Sequence, residues 1–442
     1  MPEFSDLLVE QVRLNRAWIE KVLGATAGLA EWYRGLVLGK WNSLPRGDAR
    51  VEAVYAVDSS SGLIEVSGGG VLLVTRALSL SVGGKQKRRL AVDALYPRNL
   101  MDFEHYVRLT REHLEHLVAL DSLDEDPRFV LVDGSLYGRM IHVLKDLDLE
   151  DREDFMFTYV ETYSSFLREA LNRGVTVVGV SKDSRSTLFK EEVLKEEVVR
   201  VARENGVDVS ELLALWAWLK RRPREVLKEV RKRASSGLYP ARIYELFEEA
   251  RSSTPDSKIL LYARPGEGYT TPLLLKISKV QAGQIEVALD ESVGDQVEKL
   301  GRFFSKSRDK MGEEFEEKVK ALVSMLKEYP PVATFYAILG HGDDPIRVDV
   351  VSRELQELGV AKNSLALDSS KFISSDVKGI TGVISLLRSM YAGVKDYNIL
   401  LMEADRRVKI TERSLEIYRG ILMKELGAYF LPSRGERRVH YP

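Results

Sequence analysis

The chain has 442 residues, 44% of them hydrophobic, which is enough for at least one large core and two or three structural units and excludes disorder as the main state. With 65 Lys and Arg against 67 Asp and Glu, the formal net charge is -2, so no global positive field holds nucleic acid and any such contact must use a local patch. A cysteine count of 0 excludes disulfides, thiolate zinc sites, iron–sulfur clusters and cysteine nucleophiles together, and favours an intracellular, cytoplasmic address.

The opening MPEFSDLLVEQ carries acids and no run of signal-peptide length, and the densest apolar run, Leu212 to Leu219, is too short to cross a bilayer. A soluble protein away from membranes is expected. Residues 5–40 read as an amphipathic helical arm for packing or dimerisation, carried by Leu7, Val12, Leu14, Ile19, Val22 and Leu23. From Val51 the period changes: VEAVYAVD reads as a buried strand ending at Asp58, followed by a loop, SSSGLIEVSGGG. Strands at Val71 to Val82 and Arg89 to Tyr96, joined by Gly83, Gly84 and the basic segment Lys85 to Arg88, complete a three-strand meander. Pro97 stops the last of them, a helix spans Asp102 to Leu120, and RFVLVDGS forms the next strand, ending at Asp133. Helices beginning at Leu136 and spanning Asp151 to Asn172 lead to the strand Val175 to Val180.

Residues 188–253 are almost wholly helical and read as an insertion. Strand-like segments return at Lys258 to Arg264, Thr271 to Ile277, Gln284 to Leu289, Val332 to Gly340 and Ile346 to Val351, with a helix at Glu313 to Tyr329 and a last helical stretch from Asp376 to Leu426. The expected organisation is an arm (1–48), the first part of a core (49–187), a helical insertion (188–256), the remainder with C-terminal helices (257–426) and a basic tail (427–442).

The most informative feature is that two strands end alike, AVYAVDSS around Asp58 and FVLVDGS around Asp133. Each delivers a carboxylate to its C-terminal end, followed by residues small enough for a metal ion or phosphate to approach the backbone. A meander followed by a helix and a parallel strand permits the fourth strand to lie beside the first, with the Val175 strand outside it. The expected fold is therefore α/β: a ribonuclease H-like mixed sheet flanked by helices, with an inserted helical subdomain. In that plan the helix between strands three and four supplies a third acid, and here it contains Glu104, Glu112 and Glu115. With Leu114, Leu117 and Val118 on the sheet, Glu115 falls at the edge of that face and Glu112 almost opposite, so Glu115 is preferred and Glu112 held in reserve. Two metals held by such carboxylates clamp a scissile phosphate, one polarising the attacking water and the other stabilising the leaving oxygen. Hard oxygen ligands suit Mg2+ or Mn2+ better than Zn2+.

These two strand ends, the glutamate helix between them and GVSKDSRS after the last strand resemble the NurA nuclease family of archaea and some bacteria, over about Val51 to Val408. The resemblance implies a homodimeric, manganese- or magnesium-dependent DNA nuclease that digests 5′ to 3′ and also cuts single strands internally. It further implies partnership with a HerA-type hexameric ATPase in DNA end resection and double-strand-break repair. By the same resemblance Asp58, Glu115 and Asp133 are metal ligands and catalytic. The fourth ligand falls at Asp405 in YNILLMEADRRVKI, where several members carry histidine; an aspartate also ligates a hard cation.

In the same plan Lys182 reaches the catalytic edge, where a lysine stabilises charge developing on a phosphate, and Arg185 holds a neighbouring phosphate. Tyr137 either stacks on a base or packs. Basic segments able to track a strand are Lys85 to Arg89, Lys220 to Arg224, Arg231 to Arg233 and Phe303 to Lys310, the last interleaving Phe303, Phe304 and Lys306 as base stacking and phosphate binding require. The cluster Arg434 to Arg438 reads as a tail for DNA or a partner. His113 and His116 spell no H-E-x-x-H motif, and no G-x-x-x-x-G-K-[ST] loop is present, so neither a zinc hydrolase nor an intrinsic motor is expected. The remaining alternative is a catalytically silent ribonuclease H-like scaffold.

Overall fold

The computed structural model describes residues 3–23, 27–46, 51–141, 146–150, 152–182, 184–275, 298, 302–358, 370–427 and 433. The expected strand Gln284 to Leu289 and the tail cluster Arg434 to Arg438 lie outside them. The chain divides into two compact units, the larger holding Leu44–Lys182, Pro272–Phe335 and Arg347–Pro442. No helix among the described residues is long and apolar enough to cross a membrane.

The larger unit is built on a mixed sheet. From its edge strand Gln86–Leu95 the order runs through Val71–Ser81, Val54–Glu65, Phe129–Asp133 and Thr176–Ser181 to Ile346–Val351. The first three strands are an antiparallel meander; Val54–Glu65, Phe129–Asp133 and Thr176–Ser181 are mutually parallel; Ile346–Val351 closes antiparallel to the last. This is the expected ribonuclease H-like order. The parallel strands are continuous apolar runs because both faces are covered. Val54, Ala56, Val57, Val130 and Leu131 are fully buried. The helices Leu100–Ser122 and Phe155–Asn172 pack on each other, and the first of them packs against the meander.

Two expectations about the meander need correction. The first strand does not end at Asp58 but runs on to Glu65, with Ser59, Ser60 and Ser61 paired to Ala77, Arg76 and Thr75. Its far half is covered by the helix Glu412–Leu426: Ile64, Leu72 and Val74 pack with Ile410, Leu415, Tyr418 and Leu422. A Cβ at Gly62 would stand 2.4 Å from Leu415, so the glycine is what lets that helix approach. The basic segment Lys85 to Arg88 is not a connection either. From Gln86 it is strand, and Lys85 and Lys87 bond Glu125 at 2.6 and 2.9 Å while Arg89 grips Asp121.

The smaller unit holds Met1–Ser43, Asp183–Thr271 and Tyr336–Ile346. Four helices, Leu188–Glu204, Val209–Trp218, Pro223–Ser235 and Ala241–Arg251, fill the stretch read as an insertion. The N-terminal arm is three helices, Phe4–Leu14, Arg16–Leu23 and Ala27–Leu38, of which the first buries no residue. Lys258 to Arg264, expected as a strand, is the helix Asp256–Ala263. Ile259, Leu260 and Ala263 share its buried face, a spacing that a short apolar run does not distinguish from a strand. Asp256 is fully buried and accepts from the backbone N–H groups of Phe189 (3.1 Å) and Lys190 (2.8 Å), capping the helix Leu188–Glu204. Of the expected strand Thr271 to Ile277, the described residues hold only the short strand Leu273–Leu274, which belongs to the larger unit.

The last helical stretch is three helices, Lys378–Ser389, Ile399–Val408 and Glu412–Leu426, interrupted around Gly393 and at Lys409 to Thr411. The middle one packs on the strands Val54–Glu65 and Val71–Ser81.

Candidate active site

The parallel register sets Val57 beside Val132, so Asp58 and Asp133 stand one step further along on neighbouring strands, Asp133 at the end of its strand and Asp58 where the parallel pairing stops. The turn after Asp133 is tightly seated. Gly134 has φ +112°, its N–H donates to the Val180 carbonyl at 2.8 Å, and a Cβ at Gly179 would meet the Gly134 carbonyl at 2.6 Å. Asp349, 1% exposed, anchors the same turn: it accepts from Ser135 Oγ (2.6 Å), the Tyr137 N–H (3.1 Å), Thr334 Oγ1 (2.8 Å) and Arg347 Nε (3.0 Å).

Asp58 is buried, and burial, followed by the charges of Glu115, Asp133 and Asp405, pushes its carboxyl up to about 8 despite a 2.7 Å hydrogen bond from the Ser59 N–H. Burial also raises Asp133, with Lys182 opposing and Glu115 adding to the rise; Lys182 Nζ lies 3.9 Å from Asp133 Oδ2. The Lys182 ammonium sits 4.4 Å from the centroid of the Tyr397 ring. The phenol of Tyr397 is raised by burial and then by Asp133, Asp58 and Asp405. Three strands and two helices distant in sequence thus bring Asp58, Glu115, Asp133, Asp405 and Lys182 into one electrostatic cluster.

Glu115 is buried on the helix Leu100–Ser122 and takes hydrogen bonds from Ser59 Oγ and from the buried Arg139 guanidinium, whose Nη2 also donates to the Asp133 carbonyl at 3.0 Å. Arg111 Nη2 donates to the Ser59 carbonyl at 2.8 Å. Glu112 is not opposite Glu115. Residues three apart are neighbours on a helix, both glutamates line one cavity, and Glu112 accepts from Tyr159 OH at 2.6 Å.

The donor set, carboxylates with neither thiolate nor imidazole in the cluster, fits a hard divalent cation, and Asp58 is displaced upward by burial first and by the neighbouring acids second. As the side chains stand, no three His, Asp or Glu groups among the described residues close around one point, and Glu115 commits both oxygens to Ser59 and Arg139.

The other expected contacts fare differently. Tyr137 is 2% exposed, so it packs rather than stacks on a base. Phe304 is 1% exposed against Phe157, and Lys306 lies 3.4 Å from Asp148, which makes this segment part of the interior and of an ion-pair edge instead of an open stacking platform. Phe303 is half-buried, and Arg185 is exposed in the smaller unit. Sequence reasoning missed Arg139, Arg111 and Asp349. The signal for Asp349 was available: Arg347 and Asp349, two apart on one face of the otherwise apolar IRVDVV.

His113, half-buried, and His116, buried, lie on the same helix and are unused by this cluster. Burial pushes His113 down to about 4 and His116 well below its ordinary value, the Arg139 charge adding to the latter; His116 stacks on Tyr163 with centroids 4.4 Å apart. Both folded values are depressed, so their contribution to stability is complete above about pH 6.5 and is lost as pH falls towards 4. Between pH 7 and pH 5 the wild type should therefore lose about 2 kcal/mol relative to His113→Phe, read from urea unfolding of both proteins at each pH. An unchanged gap would show that His113 is not held neutral.

The strand order, with Asp58 and Asp133 on neighbouring parallel strands, defines a ribonuclease H-like fold. The chain belongs to the NurA family, whose NurA domain model matches residues 52–410. It is similar to the crystal structure of the NurA nuclease from Sulfolobus solfataricus, with a TM-score of 0.52 and 14% identity over 95% of this chain and 98% of that one. A second crystal structure of NurA aligns at 15% identity over 97% of this chain and 98% of that one with a TM-score of 0.37. At such identities the first likeness bears on the fold, and the second carries no argument. No curated protein matches the chain.

Proposed function

We propose that the protein is a divalent-metal-dependent DNA nuclease, a 5′ to 3′ exonuclease and single-strand endonuclease that works as a homodimer with a HerA-type hexameric ATPase in DNA end resection. The observation that carries the catalytic part is the juxtaposition of Asp58 and Asp133 on neighbouring parallel strands, with the charges of Glu115 and Asp405 reaching both. Asp58, Asp133 and Asp405, with Glu115, would hold Mn2+ or Mg2+. Bound there, the ions supply Lewis acidity and charge neutralisation for phosphodiester hydrolysis. Lys182 would meet a phosphate oxygen, a reading supported by its ammonium lying 3.9 Å from Asp133 and 4.4 Å from the Tyr397 ring centroid with its side chain 44% exposed. Dimerisation, the ATPase and resection rest on family membership alone.

The test is cleavage of labelled single-stranded DNA in Mn2+, Mg2+, Zn2+ or EDTA. Wild type should cut in Mn2+ or Mg2+, and folded Asp133→Ala should lose at least about a hundredfold in rate. A folded wild type that binds DNA and cuts in none of these metals supports the silent-scaffold alternative, which the engagement of Glu115 by Arg139 favours.

A further inference from the structure

A cavity of about 210 Å3 opens beside the acids, lined by Arg108, Arg111 and Glu112, by Arg139 and by the Gly134 and Ser135 turn. It is smaller than the roughly 300–1,000 Å3 of pockets that take drug-sized ligands, which suits a single anionic group better than a nucleobase with its sugar. Positions 108, 111, 112 and 115 share one helix face, so this wall is written in a single stretch of sequence.

Three guanidinium groups and three carboxylates border the cavity, but their commitments differ. Glu112 accepts from Tyr159, Glu115 from Ser59 and Arg139, and Asp133 faces Lys182. The guanidinium groups retain unused donors. Arg108 is exposed and makes no hydrogen bond or ion pair among the described residues. Arg111 gives Nε and Nη2 to Ser59 at 3.3 and 2.8 Å, leaving Nη1. Arg139 is 4% exposed, and its Nη1 is buried without an acceptor. A buried donor with no partner is costly, and the planar guanidinium fork matches phosphate oxygens.

We propose that this cavity binds the terminal phosphate of a DNA strand, a phosphomonoester at its 5′ or 3′ end, through Arg108, Arg111 and Arg139. Its place in catalysis rests on the nuclease reading above, because a terminal phosphate held here sets the strand end beside Asp133. A phosphomonoester carries more negative charge than the diesters along the chain, so uncommitted guanidinium donors discriminate an end from an interior position.

The experiment is equilibrium binding of the full chain in EDTA to labelled oligodeoxynucleotides identical except for phosphate or hydroxyl at the 5′ end, with a second pair differing at the 3′ end. The phosphorylated member of one pair should bind about tenfold more tightly, and Arg108→Gln and Arg111→Gln should each bring that ratio to within about twofold. Equal binding within both pairs, or a preference that survives both substitutions, overturns the proposal. Cleavage of a closed single-stranded circle by wild type in Mn2+ is scored separately, since a circle has no end. Failure there overturns the endonuclease part of the nuclease reading, and failure on linear single strands in Mn2+ overturns that reading altogether, while the terminal-phosphate preference stands or falls on the EDTA measurement.

Discussion

Asp58→Asn is expected to make the metal-free protein more stable while abolishing cleavage. The Asp58 carboxyl is pushed from its ordinary 3.8 up to about 8 by burial and by three neighbouring acids. A folded value above the unfolded one contributes stability that is complete below about pH 4 and lost as pH rises through 8. At pH 7 the folded protein therefore carries a penalty on the order of 4 kcal/mol from this group, an upper figure since neighbouring side chains relax. Asparagine has nearly the same shape and no charge to lose. In EDTA the variant should unfold at higher urea than wild type, and the gap should widen between pH 5 and pH 8. Adding Mn2+ should reverse the order, because a ligand that binds only the folded wild type stabilises it by mass action. Cleavage by the variant should fall at least about a hundredfold. A variant less stable than wild type in EDTA at pH 8 would show that the acids are not crowded, and the metal reading would lose its main support.

Arg139→Ala carries the second large effect. Arg139 and Glu115 are both about 5% exposed, and removing one member of such a pair leaves the other charge buried and alone. The expected cost is about 3–5 kcal/mol. The pair itself is not expected to be worth that much, because desolvation offsets most of the attraction. Arg139→Met combined with Glu115→Gln should therefore recover most of the loss, as the urea midpoints of the single and double variants would read out. A loss below about 1 kcal/mol in Arg139→Ala would mean that Glu115 has another partner waiting.

The parts legible in the sequence were those whose causes are local. An apolar run closed by a carboxylate and small residues marks Asp58 and Asp133 without reference to the rest of the chain, and a meander followed by a helix and a parallel strand permits their strands to be neighbours. What was not legible depends on distant cover. SSSGLIE is strand because Leu415 and its helix, some 350 residues later, shield it. Phe303 and Phe304 looked like a stacking pair, yet Phe304 is claimed by Phe157. The helix Asp256–Ala263 was mistaken for a strand because a short apolar run has no decisive period. Glu112 was placed on the wrong side of its helix by neglecting that three residues is nearly one turn. Arg139 was missed because its partner comes from another element, and a lone arginine in a short helix gives no sign of burial.

Asp349 makes the turn that carries Asp133 dependent on a strand far downstream, for Ser135 and Asp349 are 214 positions apart. On a ribosome adding ~5–20 residues per second, about ten to forty seconds separate the two. Throughout that interval the meander and its first parallel neighbour can form while the turn lacks its bonds to Asp349. Asp405 emerges later still. A growing chain, or one broken off before Ile346, can thus own the first two strand-end acids without having them arranged, and assembly of the site is a late event in the life of each molecule.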